Sequence, residues 1–263
     1  MKLWEPVTLE RDTEYCWRIG PLSFWMRHSE DEWLVASESQ STDADSEEVE
    51  VSAKRNKPEG LEWTRFVFSE ESGTVQLVPA LQDKAIVVGS EMEVKILPGN
   101  RALFFVSIPV WTRVLVGEKK KSCTLTEIPT VKLSNTWFGD PMTGELGYSL
   151  TTRARRTIDD SAISIYRAIC PVTMKNSSPS ALDFQKLCIH VEHLKVYKGK
   201  QRLWTNEVRI TYVGEAQPSR IELSDKKPNF EEGCTLLCGE RIPVNKSILK
   251  KSVSIFKYFT TIE

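Results

Sequence analysis

The chain has 263 residues, of which 40% are hydrophobic and 27% charged, a globular composition that excludes wholesale disorder. Its first residues, Met1–Pro6, contain no signal-peptide core, and nowhere do about 20 apolar residues follow one another as a bilayer span requires. The sequence therefore predicts a cytoplasmic protein without a transmembrane segment.

The net charge of −1 hides an asymmetry along the chain. Residues 1–118 contain 12 basic and 21 acidic side chains, whereas residues 119–263 contain 23 basic and 15 acidic side chains. The two halves could attract each other, or the basic half could face an anionic partner. The first interpretation is preferred because it needs no partner.

The first part of the chain reads as short strands separated by turns. Trp17 to Met26 has apolar residues around Gly20-Pro21, which is typical of two strands joined by a turn. Trp33 begins a further strand. Trp63–Phe68 is read as another, with Trp63, Arg65 and Val67 on one face and Phe66 and Phe68 on the other. Between these two strands, Ser37–Glu50 is acidic but lacks the spacing of an EF-hand, so we expect a solvated loop.

A hairpin and a boundary are predicted near the middle of the chain. Met92–Leu97, the turn Pro98–Asn100 and the β-branched, aromatic segment Ala102–Val116 have the pattern of a hairpin. Pro109 interrupts the return strand, which indicates a bulge or an edge position. The lysine-rich segment Gly117–Ser122 lies where the sign of the charge changes, and we interpret it as a linker.

The second half continues in the same style. Val131–Phe138, the turn Gly139–Gly144 and Glu145–Arg155 predict one hairpin, and Leu187–Tyr197 with Arg202–Val213 predicts another. The fold class predicted from this pattern is mostly β. We expect two antiparallel β-sandwich-like domains, an acidic one over residues 1–117 and a basic one over 123–263, with a single large sandwich as the alternative.

The end of the chain has a different pattern. Leu249, Val253, Phe256 and Phe259 recur at helical spacing among lysines, which predicts a short amphipathic C-terminal helix. Alternation around Val253 leaves a strand as the alternative.

One cluster of polar residues could carry chemistry, in the segment Cys188–His193. Since alternate residues of a strand share a face, Cys188, His190 and Glu192 would form a partial metal or acid–base set, with His193 on the opposite face. The phase of the apolar alternation changes at His193, which indicates a bulge. An ordinary half-polar strand explains the same residues and is preferred.

A second cluster contains arginines. Arg153 and Arg155 would share a strand face near aromatic residues of the paired strand, an arrangement suited to anionic ligands or nucleic acid. Cross-strand pairing on a sheet surface explains them equally well, and no nucleic-acid motif is present. Trp204 stands in an aromatic–polar stretch at a strand entry, where packing is the usual role. The turn carboxylate Asp140 could pair with Glu145.

Signatures of common enzymes are missing from the sequence. There is no glycine-rich nucleotide loop, no nucleophile elbow and no His-Glu-x-x-His, and only three histidines are present. The six cysteines are scattered, so free thiols are expected. The sequence therefore predicts no cofactor and no metal, and it favours a non-enzymatic protein.

Four segments carry a resemblance to a known family: Ser134–Pro141, Gly144–Arg156, Leu182–Leu194 and Leu203–Val208. They resemble the prokaryotic family catalogued as domain of unknown function 432, over most of the chain and most strongly between Val131 and Val213. The resemblance implies a β-rich cytosolic protein with no assigned activity. It also implies genes near those of small mechanosensitive channels, and hence an accessory or regulatory role.

Three functional hypotheses follow. The first is a protein-interaction or regulatory module whose partner is a protein such as a mechanosensitive channel, contacted peripherally at the membrane. The second is a ligand-binding protein or enzyme that uses a polar cluster around His190, Glu192 and Arg153. The third, less favoured, is binding of an anionic polymer by the basic half. The oligomeric state is not predicted.

Overall fold

The protein is represented by a computed structural model, which describes residues 3–39, 51–52 (backbone only), 59–67, 73–118, 121–158, 163–214 and 219–243. Of the predicted acidic loop 37–50, the described residues include the first three, which end a strand. The predicted C-terminal helix after Lys246 lies outside the described residues.

Strands make up nearly all the regular structure of the described residues. In the first half they are β1 (Val7–Thr8), β2 (Glu14–Ile19), β3 (Leu22–His28), β4 (Glu32–Ser39), β5 (Val51–Ser52), β6 (Thr64–Val67), β7 (Thr74–Ala80), β8 (Ile86–Ile96), β9 (Arg101–Pro109) and β10 (Trp111–Val116). In the second half they are β11 (Cys123–Pro129), β12 (Ser134–Phe138), β13 (Glu145–Ser149), β14 (Arg167–Asn176), β15 (Leu182–Ile189), β16 (Val196–Lys198), β17 (Leu203–Thr205), β18 (Val208–Tyr212), β19 (Arg220–Leu223) and β20 (Thr235–Cys238). A 3-10 helix at Val191–His193 follows β15.

The chain divides into two compact units, each made of separate chain segments. Unit 1 contains residues 1–80, 109–132 and 161–166, and unit 2 contains residues 81–108, 133–160 and 167–263. Gly117–Ser122 connects β10 to β11, which pair within unit 1. The predicted division into an acidic domain of residues 1–117 and a basic domain of residues 123–263 stays a prediction.

Unit 1 contains two antiparallel sheets, in the orders β1-β7-β10-β11 and β5-β2-β3-β4-β6. Large aromatic side chains of these strands lie inside, where Trp17 stacks on Phe24 with ring centroids 5.0 Å apart. His28 stacks on Trp33 at 4.2 Å, and both are fully buried. Burial of such aromatic surface stabilises this unit.

Unit 2 contains one sheet of four strands, β12-β13-β8-β15, and one of seven, β19-β18-β14-β17-β16-β20 with β9 also paired to β14. Most pairs are antiparallel, but β13 pairs with β8, and β14 pairs with β17 and β18, in parallel. Its core includes Phe104 and Phe184, whose rings lie 4.8 Å apart. The predicted mostly β fold is confirmed, with mixed sheets in this unit.

One of the predicted hairpins is confirmed and another is wrong. The hairpin of β12 and β13 is confirmed, since Ser134 pairs with Ser149 and Phe138 with Glu145. The predicted hairpin around Pro98–Asn100 is wrong, because β8 pairs with β13 and β15 whereas β9 pairs with β14 in the other sheet. Gly99, with φ of +75°, makes the predicted turn, but that turn carries the chain from one sheet to the other.

The predicted hairpin of Leu187–Tyr197 with Arg202–Val213 is confirmed only in its short middle part, where β16 pairs with β17.

No helix in the described part of the chain has the length and apolar character needed to cross a membrane. All six cysteines are free thiols, as predicted.

Candidate metal centre

Cys188 lies on the buried face of β15. In the antiparallel pairing with β8 it lies opposite Val87, and it packs with Ala85, Val87 and Phe138. Its Sγ donates a hydrogen bond to Glu145 Oε1 at 2.9 Å. Burial, followed by the negative charge of Glu145, raises the pKa of the Cys188 thiol well above its ordinary value.

Glu145 reaches Cys188 because it opens β13. The parallel pairing of Tyr148 with Ile86 lays β13 along β8, the strand that also carries the partner of Cys188. Glu145 therefore stands beside the Cys188 thiol. Its carboxylate is one-third exposed, so solvent reaches the cluster from this side.

The turn before Glu145 holds the carboxylate in place. Gly144 N donates to Asp140 O at 2.7 Å, and Asp140 Oδ1 accepts a hydrogen bond from Met142 N at 2.8 Å. A side chain at Gly144 would collide with the backbone oxygens of Phe138 and Asp140. Asp140 thus shapes the turn, while Glu145 points to Cys188.

His190 follows directly after β15, where the chain leaves the strand and enters the 3-10 helix Val191–His193. His190 Nδ1 lies 3.1 Å from Glu192 Oε1, and its Nε2 lies 3.4 Å from Glu145 Oε1. Since a carboxylate accepts, Nδ1 carries the proton of this hydrogen bond. Nε2 is therefore the nitrogen directed towards Glu145.

His193 lies on the same side of the chain as His190. The predicted opposite orientation is wrong, because the 3-10 helix replaces the strand at this point and brings the ring centroids to 6.4 Å. His193 Nε2 lies 3.9 Å from Glu192 Oε1, and its Nδ1 donates to Ile242 O at 2.8 Å. The phase change in the sequence did mark this departure from the strand.

Negative charge surrounds His190. Burial by itself lowers the pKa of His190, but the hydrogen bond to Glu192 and the charges of Glu145 and Glu192 outweigh it and raise the pKa above its ordinary value. In the described part of the chain, the ion-pair partners of these two carboxylates are the imidazoles of His190 and His193. The two carboxylates therefore favour positive charge at this position, and a proton on His190 supplies it.

Two polar atoms of the cluster are buried and lack a hydrogen-bond partner among the described residues. They are His190 Nε2 and Glu192 Oε2. A buried polar group without a partner costs about 1–3 kcal/mol, more when it is charged. An ion bound to His190 Nε2 would remove this cost for that nitrogen.

The ligand atoms have the chemistry of a metal centre and lie close together. Glu145 carboxylate oxygen, Cys188 Sγ and His190 nitrogen all lie within 4.8 Å of one another. Ligand atoms of a tetrahedral zinc ion, at about 2.0–2.3 Å from the metal, lie about 3.4–3.7 Å apart. Glu192 would orient His190 through Nδ1, as carboxylates commonly do behind a metal-bound histidine.

The other residues singled out from the sequence lie elsewhere. Arg153 lies with its guanidinium over Gly89, on the strand beside β15, and Arg155 pairs with Glu91 at 3.1 Å. The ion pairs of the described cluster do not include Arg153. The structure thus brings His190, Glu192 and His193 together without the two arginines.

Trp204 belongs to the core of the seven-stranded sheet. It is 2% exposed and stacks on Phe230 with centroids 5.7 Å apart, and its Nε1 donates to Glu231 Oε2 at 2.7 Å. Its environment is that of a packed tryptophan whose N–H has found a partner.

Sequence reasoning placed Glu145 at the start of the return strand and considered it only as a partner of Asp140. It identified Cys188, His190 and Glu192 as a partial set, but the fourth member precedes Cys188 by 43 residues. The alternation of β13 signals a strand, and no local signal shows that it pairs in parallel with β8.

The fold and the cluster together define a mostly β protein with a buried thiol–imidazole–carboxylate centre. The chain belongs to the family described as Protein of unknown function (DUF432), whose model matches residues 3–257. The resemblance seen in the sequence is thereby confirmed. Comparisons with curated proteins and with solved structures find no match.

Proposed function

We propose that this protein binds a divalent transition-metal ion through Cys188 Sγ, His190 Nε2 and a carboxylate oxygen of Glu145. The observation that carries the proposal is the convergence of these three atoms, with His190 Nε2 buried and lacking a hydrogen bond among the described residues. Thiolate, imidazole and carboxylate together suit zinc, and three protein ligands leave a fourth position open.

The proposal departs from the sequence-based expectation of no metal. That expectation rested on the low number of histidines and on an ordinary half-polar strand, which explained Cys188, His190 and Glu192 without a metal. With Glu145 beside them, thiolate and carboxylate supply two negative charges that balance a divalent cation. The bound ion would clamp the β12–β13 hairpin to the end of β15, and it would stabilise the folded chain by mass action.

Titration of the metal-free full chain with Co²⁺ tests the proposal. Cobalt is expected to bind at one ion per chain, to produce a thiolate-to-metal charge-transfer absorption, and to be displaced by Zn²⁺. Thermal unfolding should move to higher temperature with either ion. Binding without the thiolate band, or no saturation at one ion, would contradict the assignment of Cys188 as a ligand.

A second proposal concerns protein binding: a non-enzymatic cytoplasmic regulatory module whose partner is a mechanosensitive channel. The observation that favours a protein contact is an apolar surface on the β12–β13 hairpin. Trp137 and Leu146 lie opposite each other there and are 51% and 47% exposed, and Met142 in the turn is 89% exposed. Trp137 Nε1 donates a hydrogen bond to Asp140 O at 3.1 Å, which fixes the orientation of the exposed ring before a partner binds.

Replacing Trp137 by serine tests this surface. With the mechanosensitive channel of the same organism in detergent, the wild-type chain should form a complex, and W137S should weaken it by about tenfold or more. The matched control is Met92→Ser, because Met92 is 72% exposed on β8. Absence of a complex at micromolar concentration, or equal binding by W137S, would contradict the proposal.

A further inference from the structure

A second site lies in unit 2, in a cleft of about 840 Å³. Its charged lining consists of four basic side chains and two carboxylates, namely Arg101, Arg156, Lys175, Arg209, Glu207 and Glu222. The cleft shares no residue with the metal cluster, and its volume lies in the range of small-molecule sites.

Strand pairing explains why the charges meet. In the parallel pair of β14 and β18, Thr173 lies beside Arg209, and Lys175 beside Thr211. Residues paired in this way project from the same face of a sheet. Since β9 also pairs with β14, Arg101 at the start of β9 reaches the same cleft.

Part of this charge is already satisfied within the protein. Glu207 Oε2 accepts from Arg209 Nη2 at 2.6 Å, and Glu207 Oε1 accepts from Thr173 Oγ1 at 2.8 Å. Burial alone would raise the pKa of Glu207, but these hydrogen bonds and the charges of Arg209 and Arg101 lower it. Glu207 is thus an ionised partner of Arg209 that also interacts with the charge of Arg101, and Glu222 lies opposite Arg209 on β19. The lining still holds two more cations than carboxylates, since four basic side chains face two acidic ones.

One of the cations of the cleft, Arg156, is held in a defined position. Arg156 Nη1 donates to Leu103 O at 2.6 Å, and the guanidinium carbon lies 5.2 Å from the centre of the Phe104 ring. A guanidinium fixed by its own hydrogen bond loses little conformational entropy when an anion binds, so its position favours recognition of an anion.

The cleft also has an aromatic wall. Phe230 is 38% exposed, although one side of it stacks on the buried Trp204 at an interplanar angle of 15° and its edge meets Phe105. The ring is therefore fixed from behind while part of it faces the cleft. Such a surface suits a planar ring of a ligand.

We propose that this cleft binds a phosphorylated small molecule with a planar ring, of the chemical class of nucleotides. Arg101, Arg156 and Lys175 would bind the phosphate oxygens, and Phe230 would contact the planar ring. Glu222 is placed to accept hydrogen bonds from ligand hydroxyl groups. Arginine and lysine together provide both forked and point-charge contacts to phosphate.

Calorimetric titration of the full chain with ADP, at low ionic strength and with a chelator present, tests the site. ADP is expected to bind at one molecule per chain, and inorganic pyrophosphate more weakly. R101Q and K175Q should each weaken ADP binding by about tenfold or more, because each removes a charge-assisted contact. F230A should weaken binding of ADP and leave binding of pyrophosphate unchanged.

Lys186→Gln is the matched control, since Lys186 is an exposed lysine on β15, outside the cleft. K186Q should bind ADP as the wild type does. The proposal would be overturned if ADP did not bind at a concentration of about 1 mM, since a Kd of that size corresponds to a binding free energy of only about −4 kcal/mol. Equal weakening by K186Q and K175Q, or equal affinity for pyrophosphate and ADP, would overturn it as well.

Discussion

Replacement of Cys188 by serine is expected to abolish the thiolate-to-cobalt absorption and to weaken metal binding by at least about a hundredfold. Structural zinc sites with four ligands bind with about 10–16 kcal/mol, so the loss of one ligand removes several kcal/mol. Serine keeps the small buried volume and the hydrogen bond to Glu145, but its hydroxyl does not ionise as a thiol does. The measurement is a competitive titration with a chromophoric chelator.

The matched control for this variant is Cys123→Ser. Cys123 is a free, half-buried thiol at the start of β11 in unit 1, and the substitution makes the same chemical change outside the cluster. C123S should keep both the absorption band and the affinity. Should C188S retain the band, the thiolate ligand would belong to another cysteine, and the proposed centre would be wrong.

Replacement of Gly20 by alanine is expected to destabilise the protein by about 2–5 kcal/mol. Gly20 adopts a φ of +57° in the turn between β2 and β3, a conformation that costs an L residue about 1–2 kcal/mol. A methyl group there would also collide with the ring of Tyr166, which is 1% exposed and cannot move into solvent. Such overpacking costs about 1–3 kcal/mol more.

Gly99→Ala separates the two effects. Gly99 has a φ of +75°, but a methyl group there would have nothing within 4 Å, so only the backbone cost of about 1–2 kcal/mol remains. Urea unfolding followed by tryptophan fluorescence gives both free energies of unfolding. Equal losses in G20A and G99A would show that Tyr166 makes room for the methyl group.

Local structure could be predicted well in this protein. The turn at Gly20-Pro21 and the hairpin of β12 and β13 were both correct, because turn residues and alternating apolar residues act over a few positions. The partnership of β8 and β9 was wrong although the turn between them was right. A turn reverses the chain, but it does not force the flanking strands to pair when each buries more surface against another strand.

Part of the candidate site could be predicted from the sequence, because that part lies within a few neighbouring positions. Cys188, His190 and Glu192 lie within five residues, so their relation could be considered from sequence, and the phase change marked the end of the strand. At that point the chain forms a 3-10 helix, which brings His190 and His193 to one side. This helix depends on a distant segment, because the N–H of Ile242 donates a hydrogen bond to Glu192 O at 2.9 Å.

Residue order by itself determined a mostly β protein, the positions of most strands and turns, and its membership of the family. Tertiary structure alone decided which strands are neighbours, and so it decided that Glu145 meets Cys188 and that Arg101 meets Lys175. The physical reason is that alternation specifies which face of a strand is buried. The partner of that strand is selected by long-range packing, which leaves no local trace in the chain.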